Sequence, residues 1–189
     1  MARKPARKQR RGGRALLLVD FINLFDFPSS GKLERRALAA AKNAARLKAR
    51  LASAGVPCIY ANDNFGDWKS EFSRVVAQCL ERGGASAKIA ALLQPSPQDY
   101  SILKPRHSAF YGTPLEFLLE ELGAQSLVIT GISADNCVFA TAQDAYVRQF
   151  RLWVPSDCVA ADTRRHEAEA LDHLRRTMKA ETRPSRRPG

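Results

Sequence analysis

Cysteine is scarce in these 189 residues, and the four present (Cys58, Cys79, Cys137 and Cys158) form no CxxC pair. Only three histidines accompany them, His107, His166 and His173, and their spacing does not suit a zinc site. This argues against a disulfide framework and against a structural metal knuckle. Free thiols in a reducing compartment are the expectation. Long apolar runs are missing too. The run Ala15–Val19 stops at Asp20, too short for a membrane span or for the core of a signal peptide. The chain therefore reads as cytoplasmic, with no membrane partner. No internal repeat and no second domain stand out. Hydrophobic content of 45% and charged content of 26% suit one globular domain with a substantial core.

Acidic residues are few at the two ends. Residues 1–14 carry seven basic side chains (Arg3, Lys4, Arg7, Lys8, Arg10, Arg11 and Arg14) and no acid. Residues 175–189 carry six against Glu181 alone. The formal net charge of +11 therefore sits at the termini, and the remainder is close to neutral. The expected organisation is a basic disordered tail at 1–14, a folded domain at 15–183 and a basic tail at 184–189. Solvated tails are the ordinary reading of such segments. Contact with nucleic-acid phosphates is the alternative.

Between the ends, apolar strands alternate with helices. Ala15–Asp20, Val56–Ala61, Tyr100–Leu103, Ser126–Thr130 and Arg151–Pro155 read as short buried strands, and Ala180–Arg183 offers a sixth. Helices are expected over Glu34–Ala54, Trp68–Glu81, Pro114–Leu122, Ala134–Gln149 and Thr163–Lys179, with a helical turn at Ser86–Leu93. This alternation predicts an α/β chain of three layers, with a mostly parallel sheet of five or six strands between helices.

In such a sheet, ligands bind beyond the carboxyl ends of the strands. The first strand ends at Asp20 and the third at Lys104. The fourth runs through Gly131 to Cys137, where a helix begins. A carboxylate, an ammonium and a thiol thus fall on one edge. Each is ordinary alone, since a cysteine in an apolar helix is usually core and a strand-end aspartate is often a turn cap. Together they suit acyl transfer. A helix N-terminus and Lys104 favour a thiolate over a thiol of pKa ~8.5. Asp20 is placed to take the thiol proton and return it to a leaving amine. Backbone N–H groups of the Gly131–Cys137 turn offer oxyanion donors.

Four stretches carry a family likeness: Leu17–Phe25 (LLVDFINLF), Ile59–Gly66 (IYANDNFG), Leu103–Gly112 (LKPRHSAFYG) with Thr113, and Leu127–Ala145 (LVITGISADNCVFATAQDA). They resemble the motifs of isochorismatase-like cysteine hydrolases, over about residues 15–183. The resemblance implies a Rossmann-like fold with Cys137 as nucleophile, Asp20 as proton shuttle and Lys104 as thiolate partner. It also implies a cis peptide at Ile132–Ser133 that aims the Ser133 and Cys137 N–H groups, and assembly into homo-oligomers. Nicotinamidases of that family hold a metal through an aspartate and histidines after the second strand. Here Asn62–Trp68 contains no histidine, so no metal and no cofactor are expected. True isochorismatases lack the cysteine, which points this chain toward C–N hydrolysis of a small molecule. The glutamine frequent after the first-motif aspartate is missing, with Ile22 and Asn23 in its place.

Candidate substrate contacts are Phe21, Phe25, Asn64, Phe65, Trp68, Arg106, Phe110 and Tyr111. Arg106 is placed to pair with a substrate carboxylate. Core packing is the competing role for each aromatic. Cys58, Cys79 and Cys158 read as packing residues, His166 and His173 as a solvated or interface face of the last helix, and Asp157 and Asp162 as loop caps. Two further readings stay open. One is a binding protein of this fold that uses its basic tails on nucleic acid. The other is a redox role for Cys137.

Overall fold

A computed structural model describes residues 13–28 and 30–186. The elements in order are β1 (Gly13–Val19), α1 (Ser30–Ser53), β2 (Cys58–Asp63), α2 (Phe72–Arg82), α3 (Gly84–Leu92), β3 (Tyr100–Lys104), α4 (Leu115–Glu121), β4 (Ala124–Ile132), α5 (Cys137–Val147), β5 (Arg151–Trp153), β6 (Val159–Ala160) and α6 (Arg164–Thr177). The strands form one sheet in the order β3-β2-β1-β4-β5, with β6 also paired to β4. All the pairings are parallel. The expected three-layer Rossmann-like α/β/α architecture is present, with six strands.

The alternation of side chains along a strand explains the layers. In β1, Leu16 and Leu18 join a buried cluster with Ala37, Ala41, Ala44 and Leu47 of α1 and with residues of α2 and α3. Ala15, Leu17 and Val19 point the other way and pack with Leu115 of α4, Val138 and Ala142 of α5, and Leu174 of α6. A strand covered on both faces must be apolar throughout, and β1 is buried from Ala15 to Val19. The chain winds outward from β1 through β2 to β3, then returns past β1 to β4. The direction of winding therefore reverses between β1 and β4. That boundary opens the crevice in which α/β sheets bind ligands.

Gly131 lies at this boundary. It pairs with Val19 and has a φ of 137°. A Cβ added there would stand 2.0 Å from the Val19 carbonyl oxygen. Only glycine lets the two backbones approach so closely.

The structure moves several expected boundaries. β6 is Val159–Ala160, a segment without strand signal. It continues the ladder on β4 at Gly131 and Ile132 after β5 has ended opposite Val128. The expected strand at Ala180–Arg183 reduces to a single bridge between Trp153 and Glu181. α2 begins at Phe72 because Asp67 closes a turn first, accepting from the Lys69 N–H at 2.9 Å. α5 begins at Cys137 because the Ala134 N–H is tied to the Ala160 carbonyl at 2.8 Å.

The domain limits shift as well. Gly13 and Arg14, expected in the N-terminal tail, pair with β4. Residues 184–186, expected in the C-terminal tail, are anchored. Ser185 donates through its N–H and hydroxyl to Asp157 at 2.7 and 2.9 Å, and its carbonyl accepts from Arg50 at 2.6 Å. Residues 1–12 and 187–189, the rest of the expected tails, lie outside the described residues.

Gly131→Ala should destabilise the protein by about 3 kcal/mol or more, because backbone must move to admit the methyl group. Urea unfolding at equilibrium measures this. A change under about 0.5 kcal/mol would contradict the close approach of β1 and β4.

Candidate active site

Three strand ends supply the central groups. β1 delivers Asp20, whose φ of 50° turns the chain out of the strand. Aspartate tolerates this left-handed conformation better than most residues. β3 ends at Lys104, and the turn after β4 leads to Cys137 at the first position of α5.

Lys104 is wholly buried, with a side-chain exposure of 0%, yet it is well satisfied. Its Nζ lies 2.7 Å from Asp20 Oδ2 and donates to the Arg106 carbonyl at 3.1 Å and to Cys137 Sγ at 3.7 Å. Asp63 Oδ2 is also 3.7 Å away. The second Asp20 oxygen accepts the Asp63 N–H at 2.7 Å. The aspartate is thus held from β2 and from β3 at once.

Burial sets the protonation of this group. It pushes the Asp20 carboxyl above its usual range, against the pull of Lys104 and of a hydrogen bond with Cys137. Burial alone would lower the Lys104 pKa, but Asp20 and Cys137 outweigh it and hold the ammonium above its ordinary value. The Cys137 thiol is pushed well up, first by burial and then by the Asp20 carboxylate, with Lys104 pulling the other way. This direction runs against the expected resting thiolate and favours a neutral thiol beside an Asp20–Lys104 ion pair. Moving its proton to Asp20 would leave the charge of the trio unchanged.

Cys137 is partly exposed, whereas Cys58, Cys79 and Cys158 are buried, as a packing role requires. Cys137 opens onto a cavity of about 520 Å³. Among the described residues the Ser133 and Cys137 N–H groups have no acceptor; Cys137 opens α5, whose first-turn donors are free, whereas Ser133 precedes that helix. The Ile132–Ser133 peptide bond is cis. Ile132 and Ser133 both line the cavity.

The eight candidate substrate contacts divide. Phe65 lines the cavity. Phe21, Phe25 and Phe110 are buried and pack in the two core clusters. Asn64 is buried and spends its side-chain oxygen on the Gly66 N–H at 2.9 Å. Trp68, Arg106 and Tyr111 do not border the cavity, and Arg106 meets the site only through its carbonyl. The aromatic residues near the strand ends were too many for sequence to sort, because apolar character alone does not separate core from wall.

Sequence reasoning missed His107, whose Nδ1 stands 3.7 Å from Cys137 Sγ. Its place three residues after Lys104 was the available signal. It also missed a group on the far rim, Asp135, Asp162 and His166, whose ligand-type atoms lie within 4.8 Å of one another. His166 Nδ1 is 2.7 Å from Asp162 and 3.6 Å from Asp135. Asp162 therefore pairs with a histidine, and Thr163 caps α6 instead, its hydroxyl accepting the His166 N–H. Asp157 holds Ser185. His173 packs edge-on against Phe139. After β2, Asp63 is committed to the Phe65 N–H at 2.6 Å and stands beside Lys104 with no histidine near it in sequence, a poor donor set for a metal.

Residues 14–184 match the family model of the isochorismatase domain. The isochorismatase family protein YaaI of Bacillus subtilis is 34% identical over 171 residues, covering 90% of this chain and 93% of that one. The ureidoacrylate amidohydrolase RutB of Methylorubrum extorquens is 39% identical over 71 residues, which is 38% of this chain but only 29% of that protein. Among solved structures, the N-carbamoylsarcosine amidase of Thermoplasma acidophilum superposes with a TM-score of 0.73 at 28% identity, covering 93% of this chain and 98% of that one.

Two measurements probe this geometry. Lys104→Met leaves the Asp20 carboxylate buried without its cation and should cost about 3–5 kcal/mol in urea unfolding. Adding Asp20→Asn to it should return a large part of that loss, and additive losses would refute the coupling. Alkylation of Cys137 by iodoacetamide, followed by peptide mass mapping, should keep accelerating as pH rises past the ordinary thiol range near ~8.5. A raised pKa means the thiolate forms later. A rate that levels off near neutral pH would show a resting thiolate instead.

Proposed function

The chain belongs to the isochorismatase family of hydrolases, and on that premise we propose that it cleaves the C–N bond of a small amide or ureide through a thioester at Cys137. The observation that carries this reading is one ammonium, Lys104 Nζ, lying 2.7 Å from Asp20 and 3.7 Å from the Cys137 sulfur in front of an open cavity. A structural cysteine needs neither the acid nor the cavity. Relatives named as amidase and amidohydrolase support C–N bonds as the target.

In the proposed cycle the Cys137 S–H gives its proton to the Asp20 carboxylate as the sulfur attacks the substrate carbonyl carbon. A C–S bond forms, and the carbonyl π pair moves to oxygen. The Cys137 and Ser133 N–H groups face that oxygen as donors, a term often worth ~3–4 kcal/mol each in comparable sites. The intermediate collapses, the C–N bond breaks, and Asp20 returns the proton to the leaving nitrogen as ammonia or an amine departs. Asp20, again a carboxylate, takes a proton from water as it attacks the thioester. The C–S bond then breaks, the acid product departs, and Asp20 gives the proton to the sulfur, restoring the thiol and the carboxylate. Lys104 stays protonated throughout and compensates whichever of its two neighbours carries the negative charge. It is this charge conservation that makes a neutral resting thiol workable in a buried site, since no net charge has to be created there.

Cys137→Ala should lower turnover of a hydrolysed amide by at least about 10³-fold while the fold persists, as checked by circular dichroism. With the intact protein, quenching during turnover should trap an acyl mass on the peptide that contains Cys137. Undiminished turnover by the Cys137→Ala protein would remove the nucleophile assignment.

A further inference from the structure

The cavity in front of Cys137 carries charge of one sign. Asp20, Asp63, Asp135 and Asp162 all line it, and among the described residues no lysine or arginine does. Lys104 lies behind the wall, wholly buried and engaged with Asp20. Four carboxylates thus face that one ammonium, with His166 standing 2.7 Å from Asp162 and 3.6 Å from Asp135. Lys32 acts from outside the lining, where it adds to the larger effect of His166 in holding the Asp162 carboxyl below its usual range.

A second feature of the same wall is independent of charge. Phe27 and Phe65 border the cavity with 41% and 43% of their surface exposed, so their rings are open to a bound molecule. Phenyl faces beside carboxylates suit an ammonium, and above all an alkylated one, which loses little hydration when it leaves water. Arg106, the residue on which a substrate carboxylate would have depended, is not part of the wall.

We propose that the substrate is an amide or ureide whose non-reacting end is cationic, an alkylated ammonium being the best fit. This rests on the Cys137 reading above. Asp135 and Asp162 are the carboxylates best placed to meet that end. Asp63 is occupied by the Phe65 N–H and by Lys104, and Asp20 by the Asp63 N–H and by Lys104. Asp135 accepts from the Ser133 hydroxyl through one oxygen and has its other oxygen 3.6 Å from His166 Nδ1, while Asp162 accepts from His166 through one oxygen and keeps the second at the rim. The amide carbonyl would then sit over Cys137 and the cation against the rim and the phenyl rings. Clefts lined by one sign of charge favour the counter-charged ligand by about 10- to 10³-fold in association rate at low salt.

Three amides of similar size separate the cases: betaine amide (a trimethylammonium group), its neutral isostere 3,3-dimethylbutanamide, and the anion malonamate. At low salt, kcat/KM should fall in that order, with at least about tenfold between the first and the last. The ratio should shrink in 0.5 M NaCl and in the Asp135→Asn/Asp162→Asn double variant. A malonamate rate equal to or above that of betaine amide would overturn the inference and leave the hydrolase reading standing. A second arm needs no turnover. At one fixed pH, iodoacetate should alkylate Cys137 at least about tenfold more slowly than iodoacetamide, beyond the ratio shown by free glutathione. If that selectivity appears while none of the amides is cleaved and no acyl mass forms on Cys137, the hydrolase reading falls and the substrate assignment falls with it. If iodoacetate reacts as readily as iodoacetamide, the charge argument itself is wrong.

Discussion

The contact between Lys104 and Asp20 is the constraint around which the site is arranged. An ammonium with no exposed surface is tolerable only beside a carboxylate and further acceptors, and the 2.7 Å ion pair with Asp20 and the 3.1 Å hydrogen bond to the Arg106 carbonyl provide them. That requirement ties the ends of β1 and β3 together across β2, because Asp20 also accepts the Asp63 N–H. The same ammonium reaches the sulfur at the start of α5. A single buried cation thereby joins three crossovers of the sheet at the point where its winding reverses.

The proposed chemistry requires the pair to be complete before substrate arrives. A lone carboxylate at that depth would hold its own proton, and a lone thiol would stay protonated. With Lys104 between them, moving the proton from the sulfur to Asp20 leaves the net charge unchanged. The helix N-terminus adds to this by leaving N–H groups unspent beside the sulfur. Burial raises both the acid and the thiol, and Lys104 pulls each of them back.

Much of this arrangement was legible in the sequence, and the reason is specific. Asp20, Lys104 and Cys137 each close or follow an apolar run, and in a parallel sheet all such runs end on one edge. The layers were legible because β1 runs apolar from Ala15 to Val19 and β4 carries the apolar run Leu127 to Ile129. What stayed hidden depends on contacts across the chain. β6 has two residues and exists only because β4 outlasts β5. The roles of Asp157 and Asp162 were misread because their partners, Ser185 and His166, come later in the chain. Of the aromatic residues near the strand ends, Phe65 faces the cavity while Phe21, Phe25 and Phe110 pack inward, a distinction set by loop geometry. The family likeness could extend to the chemistry but not to the rim, where loops of different origin meet.

The final described segment has a structural consequence of its own. Beyond β5 the sheet would present an unpaired border, the kind of surface on which a foreign strand can add. Here that border is occupied. The Val154 N–H donates to Glu181 at 2.8 Å and the Glu181 N–H to Leu152 at 2.9 Å, while the Trp153 indole donates to Arg183 at 3.0 Å beneath the Arg183 guanidinium. Ser185 then fastens the end of the segment to Asp157 and Arg50. The stretch from Glu181 to Ser185, part of a segment that looks by composition like a solvated polycation, thus serves as a selvedge that finishes the sheet on that side.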